Sequence, residues 1–130
     1  MKAFYTLLSV VGFLFLGSLD LKSQDYRQLF TDKAYKRIQN HMDATVDIEL
    51  RRNKSTVSSA EAIRMIRERL DVFAPVSWEK MHSGSTEENS ARYLILKATN
   101  ANDEALRIFI HLKEVGGQKK ISSIRFRRAL

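Results

Sequence analysis

Acid–base chemistry near neutral pH would fall to three histidines, His41, His82 and His111, and to whichever carboxylates could poise them. Asp47 is one candidate partner for His82 or His111, provided that strands bring them side by side. Asp47, Glu49 and His111 each alternate with apolar residues, however, and so belong to the polar face of their strands, where simple solvation accounts for them. The histidines show no i, i+4 pairing, so no metal site and no cofactor are expected. With no cysteine in the chain, a thiolate zinc site, a catalytic thiol and a disulfide framework are all excluded. No Gly-x-Ser-x-Gly elbow occurs, and Gly116-Gly117 opens no helix, which makes it a hairpin turn and not a phosphate loop. The sequence assigns no catalytic residue.

Binding chemistry is better represented. Trp78 shares strand parity with Val76 and Tyr93 with Ile95; together with Tyr35 and Phe73 they are candidate lining for an interior pocket that would take a small apolar ligand. A second set is Arg107, Phe109 and His111 on one strand, flanked by Arg125 and Arg127 on the next. A phenylalanine among arginines is the composition of a binding surface, because aromatics and arginine dominate interface hot spots. This set is the candidate interface, for self-association or for a protein partner.

What the basic charge means depends on where the chain works. Lys and Arg number 22 against 15 acidic residues, a formal net charge of +7 over 130 residues. After Lys2, the stretch from Ala3 to Gly17 is apolar apart from Thr6 and Ser9. That run suits a signal peptide and falls short of the roughly 20 residues needed to span a bilayer. Residues 1–23 therefore read as a signal peptide cut after Ser23, leaving 24–130 as a single domain without a transmembrane span. Losing Lys2, Lys22 and Asp20 leaves 20 basic and 14 acidic residues, net +6. In a periplasmic or extracellular setting the polyanion to expect is not nucleic acid but a lipid head group, a polysaccharide or an acidic protein. The densest basic stretch holds Lys119, Lys120, Arg125, Arg127 and Arg128, charges that also deter edge-to-edge aggregation of strands.

These groups need elements to position them. Asp32 stands where a helix N-cap would, and Ala34, Tyr35, Ile38 and Met42 recur at helical spacing, which predicts a helix over about 33–41, with a start at Asp25 as the alternative. Thr45 to Arg52 alternates as a half-buried strand, and Asn53-Lys54-Ser55 reads as the turn after it. Ser58 to Glu61 has capping-box form and opens a helix with Ala62, Ile63, Ile66, Leu70 and Phe73 inward. Pro75 ends it near Ala74. Four strands are expected after it, over 76–82, 91–99, 105–114 and 120–127. The order predicts an α+β domain, a curved antiparallel sheet wrapped around two or three helices.

Arg107-Ile108-Phe109-Ile110-His111-Leu112-Lys113, the Gly116-Gly117 turn and Ile121-Ser122-Ser123-Ile124-Arg125-Phe126 resemble the last two strands of a family of small exported bacterial domains of unknown function. That family lies within the nuclear-transport-factor-two-like, cystatin-like superfamily. Val46-Asp47-Ile48-Glu49-Leu50 and Ser58-Ser59-Ala60-Glu61-Ala62 match its strand, turn and capped helix. The resemblance implies a cone-shaped fold, often with an interior pocket and often dimeric across the open sheet face. Relatives usually carry a full first helix; here only Gln24 to Phe30 remains for it, so it is either about two turns long or merged with the next. The expected function is a non-catalytic exported binding or interaction module that uses its open sheet face. The alternative is a pocket enzyme of isomerase or dehydratase type, which would need an acid or base inside the cone.

Overall fold

A computed structural model describes residues 25–85 and 92–129, so the expected signal peptide lies outside the described residues. Helix α1 (Tyr26–Thr31) begins where the Asp25 carboxylate accepts the Gln28 amide at 3.1 Å, satisfying one free N–H of the first turn. It ends at Asp32, whose amide returns to the Gln28 carbonyl. Lys33, at φ 55°, turns the chain into α2 (Tyr35–Asn40), which starts at Ala34 without a side-chain cap. Asp32 is thus the end of one helix and not the start of the next. The region is neither a single helix nor a merged one: two short helices meet at a left-handed residue.

Strand β1 (Met42–Leu50) sends Val46 and Ile48 into the core, as its alternation requires. The turn then comes earlier than expected. Arg51 and Arg52 make it, at φ 50° and 69°, and Asn53–Ser58 is strand β2, paired antiparallel from Leu50↔Asn53 to Thr45↔Ser58. The Asn-Lys-Ser composition suggested a turn, but this is an edge strand with little to bury, so no apolar alternation marks it.

Ser58 Oγ accepts the Glu61 amide at 3.2 Å and opens α3 (Ser59–Phe73). Glu61 does not complete the reciprocal half of the box in side-chain bonding; its carboxylate pairs with Arg64, which also binds Glu68. That guanidinium holds the Glu61 carboxyl below the usual carboxylate range. The inward stripe is the expected one, Ala62, Ile63, Ile66, Leu70 and Phe73, all buried. Ala74 closes the helix in the left-handed region, at φ 54°, its amide bonded to the Leu70 carbonyl, and Pro75 follows.

Four strands complete the chain: β3 (Pro75–Ser85), β4 (Arg92–Asn100), β5 (Ala105–Val115) and β6 (Gln118–Ala129). They form an antiparallel meander, the β5–β6 hairpin turning on Gly116 and Gly117 at φ 59° and 80°, positive values at both positions as a two-residue hairpin loop demands. β6 then lies parallel to β1, giving one curved, unclosed six-stranded sheet in the order β2-β1-β6-β5-β4-β3. One parallel pair therefore joins an otherwise antiparallel sheet. The three helices among the described residues cover one face, where Leu96, Leu106, Ile108, Ile110, Ile121 and Ile124 meet Phe30, Ile38 and Ile66. Fully burying a side chain of this size stabilises by about 1.5–3 kcal/mol.

Tyr26 sits at the edge of this core, edge-on to the His41 ring at 5.8 Å. Burial pushes its phenol up to about 12 from the ordinary value near 10. A raised tyrosine pKa means that the fold favours the neutral phenol, so this contribution is complete below pH 10 and is lost as pH climbs from about 10 to 12. Tyr26→Phe is expected to flatten the fall in stability over that window. Urea unfolding of both proteins between pH 9 and 12 checks this; parallel curves would reject it.

Candidate functional site

The strand registers lay out the uncovered face residue by residue. One row crosses all six strands as Thr56, Asp47, Ser123, His111, Tyr93 and Gly84. The next row is Lys54, Glu49, Arg125, Phe109, Ile95 and His82. A third, from β6 to β3, is Arg127, Arg107, Lys97 and Glu79. Two shallow, open depressions lie along the first two rows and share Ser123 and Arg125. One, about 480 Å³, is bordered by Asp47, Glu49, Lys54 and Thr56; the other, about 430 Å³, by Tyr93, Ile95, Phe109 and His111.

The interface residues expected from the sequence are brought together here. Arg107, Phe109, His111, Arg125 and Arg127 occupy adjoining positions on β5 and β6. The Arg125 guanidinium lies over the Phe109 ring, 5.2 Å from its centre, a cation–π contact of about 0.5–1 kcal/mol in an exposed setting. Phe109 is half-buried as a result. Arg127 reaches to the Glu49 carboxylate at 3.3 Å.

Glu49 is the residue that sequence reasoning missed. It lies on the polar side of β1 yet is only 5% exposed, with Lys54 beside it on β2, Arg125 beside it on β6, and Arg127 in contact. A carboxylate can be buried in this way only when cations accompany it, since an unpaired buried charge costs several kcal/mol. Alternation alone gave no sign of it, because a central strand position can be roofed by its neighbours' long side chains.

The four candidate lining residues do not share one pocket. Phe73 is buried in the core. Trp78 packs on Phe30 at 5.3 Å between ring centres, and Tyr35 lies under the Arg67 guanidinium at 5.5 Å. Tyr93 lies on the opposite face of the sheet, with Ile95, while Leu94, Leu96 and Ala98 face the helices. Tyr93-Leu94-Ile95-Leu96 is an unbroken apolar run, so only its pairing with β5 settles which parity turns inward.

Possible proton-transfer partners are set apart. Asp47 and His111 fall in one row, but Ser123 stands between them, two strand spacings or roughly 10 Å. That exceeds hydrogen-bond reach. Asp47 Oδ1 instead accepts the Thr56 hydroxyl at 2.6 Å, and His111 Nδ1 lies 3.1 Å from Ser122 Oγ. His82, at the far side of the sheet, pairs its Nε2 with Tyr93 Oη at 2.9 Å. Among the described residues no group of three histidines or carboxylates is placed to hold a metal ion, and no helix is long and apolar enough to cross a membrane.

A family model described as a domain of unknown function, DUF4783, matches residues 23–127. The chain belongs to the DUF4783 family. A crystal structure of a DUF4783 protein from Bacteroides ovatus superposes with a TM-score of 0.66 at 19% identity, covering 74% of this chain and 84% of that one. A protein of unknown function from Silicibacter pomeroyi, described as NTF-2 like, gives 0.53 at 14% identity over 93% and 98% of the two chains. A candidate ketosteroid isomerase from Shewanella frigidimarina gives 0.61 at 12% identity over 78% and 88%. At these identities the likeness is one of fold, and it places this DUF4783 domain among nuclear-transport-factor-two-like folds. No curated protein matches the chain.

The Tyr93 ring has a structural requirement of its own. A Cβ at Gly84 would lie 2.6 Å from Tyr93 Oη and 2.7 Å from the ring carbons, so the ring lies across the glycine to reach His82. Gly84→Ala is expected to displace Tyr93 and release His82, while the core stays intact because every atom involved is on the uncovered face. NMR shifts should move at His82, Tyr93 and His111 and stay put at Ile108 and Ile110. Unmoved His82 resonances would refute this placement.

Proposed function

We propose that this DUF4783 domain is an exported, non-catalytic interaction module that docks an anionic partner on its open sheet face. The observation that carries the reading is the paired phenylalanine and arginine at the centre of that face, Phe109 beneath Arg125, with Arg107, Arg127 and Lys97 alongside. Apolar area supplies affinity there, and the arginines supply both hydrogen-bond donors and charge. Five cations, Lys54, Lys97, Arg107, Arg125 and Arg127, stand against Asp47, Glu49 and Glu79 in the three rows. A second copy laid face to face would double that excess, so charge favours an acidic partner over self-association. A smaller apolar ligand entering either of these open depressions would leave much of its surface in water.

The isomerase or dehydratase alternative would find an imidazole, His111, at the rim of the smaller depression. It predicts a chemical step lost in His111→Ala with binding retained. The docking reading predicts instead that the mature protein is held on immobilised heparin at low salt and released steeply as salt rises. Arg125→Glu and Phe109→Asp should fold normally and elute well before the parent. Passage of the parent through the column at low salt, or equal retention of all three, would overturn the reading. So would a dimer in light scattering that Phe109→Asp dissolves, since a second copy would then hold the face.

A further inference from the structure

The two depressions on the open face are continuous, since Ser123 and Arg125 border both. Together they form a groove that crosses the strands from Thr56 on β2 to Tyr93 on β4, four strand spacings or about 19 Å. Hydrogen-bond accounting gives the row of Thr56, Asp47, Ser123 and His111 a definite polarity. Thr56 spends its hydroxyl hydrogen on Asp47 Oδ1, at 2.6 Å, so the threonine still offers only lone pairs, and the exposed Asp47 carboxylate keeps its second oxygen. Ser122 spends its own hydrogen on the His111 carbonyl, at 3.2 Å, so the 3.1 Å contact between His111 Nδ1 and Ser122 Oγ must carry the N–H of the ring. The neutral imidazole is thereby left with Nε2 as an acceptor. The neighbouring row is of the opposite kind. Lys54 and Arg125 are cationic donors, and the Glu49 between them is 5% exposed and already held by Arg127 at 3.3 Å. Acceptors thus line one side of the groove and donors the other, with Tyr93, Ile95 and Phe109 as apolar lining at the β4–β5 end.

We propose that this groove binds an acidic polysaccharide, a chain of sugar units that carry carboxylates. The proposal rests on the docking reading and narrows its partner. A ligand that fits must present hydrogen-bond donors to Thr56, Asp47 and His111, and anionic oxygens to Lys54 and Arg125. An acidic sugar has both, hydroxyls that donate and carboxylates that accept, and the C–H faces of its rings suit Tyr93 and Phe109. The acidic side chains of a protein segment have only the second, because ionised Asp and Glu are acceptors alone, and Asp47 would repel them. A groove that crosses five strands also suits a chain better than a single sugar.

Binding to immobilised polygalacturonate and to polyglutamate, each with a carboxylate on every unit, tests this at matched salt near neutral pH. The parent is expected to bind polygalacturonate about tenfold more tightly, the worth of a hydrogen bond to a charged acceptor. Asp47→Ala makes the face more positive, so a partner held by charge alone would bind this variant more tightly than the parent. It should instead bind polygalacturonate about tenfold more weakly, and polyglutamate no less tightly. His111→Phe, which keeps a ring and removes the nitrogens, should also weaken polygalacturonate binding. Both positions are exposed, so neither change disturbs the core. Equal affinity of the parent for the two polymers, or tighter binding of polygalacturonate by Asp47→Ala, overturns the proposal. If heparin still holds the parent in that case, the docking reading stands, with an acidic protein as the partner. Failure to bind heparin and both polymers removes the two together.

Discussion

The parallel pairing of β1 with β6 holds the rest of the structure in place. It joins the N-terminal hairpin to the C-terminal meander, with Asp47↔Ser123, Ile48↔Ile124 and Glu49↔Arg125 in register and the Ile121 amide bonded to the His41 carbonyl at 2.7 Å. Without it, β1 and β2 would be a two-stranded hairpin, which is marginal in water. Both faces depend on this pairing. On the covered side it sets Val46 and Ile48 beside Ile121 and Ile124; on the open side it places Glu49 among Lys54, Arg125 and Arg127. A slip of one residue would reverse every side chain and bury an arginine where an isoleucine now sits. The contact between Glu49 and Arg127 spans 78 residues of chain, so making the pairing closes a long loop.

How much of this could be read in the sequence depended on whether one strand carried its own evidence. β5 did, because Leu106, Ile108, Ile110 and Leu112 alternate with Arg107, Phe109, His111 and Lys113 without exception. α3 did as well, through Ser58 at its start, its periodic stripe and Pro75 after it. β2 did not, since an exposed edge strand has no buried side to impose a pattern. β4 was visible as a strand but not in its orientation, because four apolar residues in a row conceal parity. Asp32 misled for a simpler reason: a short polar side chain suits either end of a helix, and here its amide closes α1.

The site divides the same way. The cluster of Arg107, Phe109, His111, Arg125 and Arg127 followed from two neighbouring strands joined by a two-glycine turn, a local arrangement that sequence specifies. Glu49 is covered by Arg125 and Arg127 from a strand distant in the chain, so composition could not announce it. Separation of Tyr93 from Tyr35, Phe73 and Trp78 removes the single aromatic pocket and leaves a core on one side and an aromatic, cationic surface on the other.

Adjacent residues of β5 test that division of labour between the faces directly. Urea denaturation of Ile110→Ala and Phe109→Ala compares one residue turned into the core with its neighbour turned out. Ile110→Ala should cost about 2–5 kcal/mol, as cavities in a packed core do. Phe109→Ala should cost about 1 kcal/mol or less, the worth of its contact with Arg125. Equal losses from the two substitutions would contradict this division, because Phe109 would then be part of the core and not of the open surface.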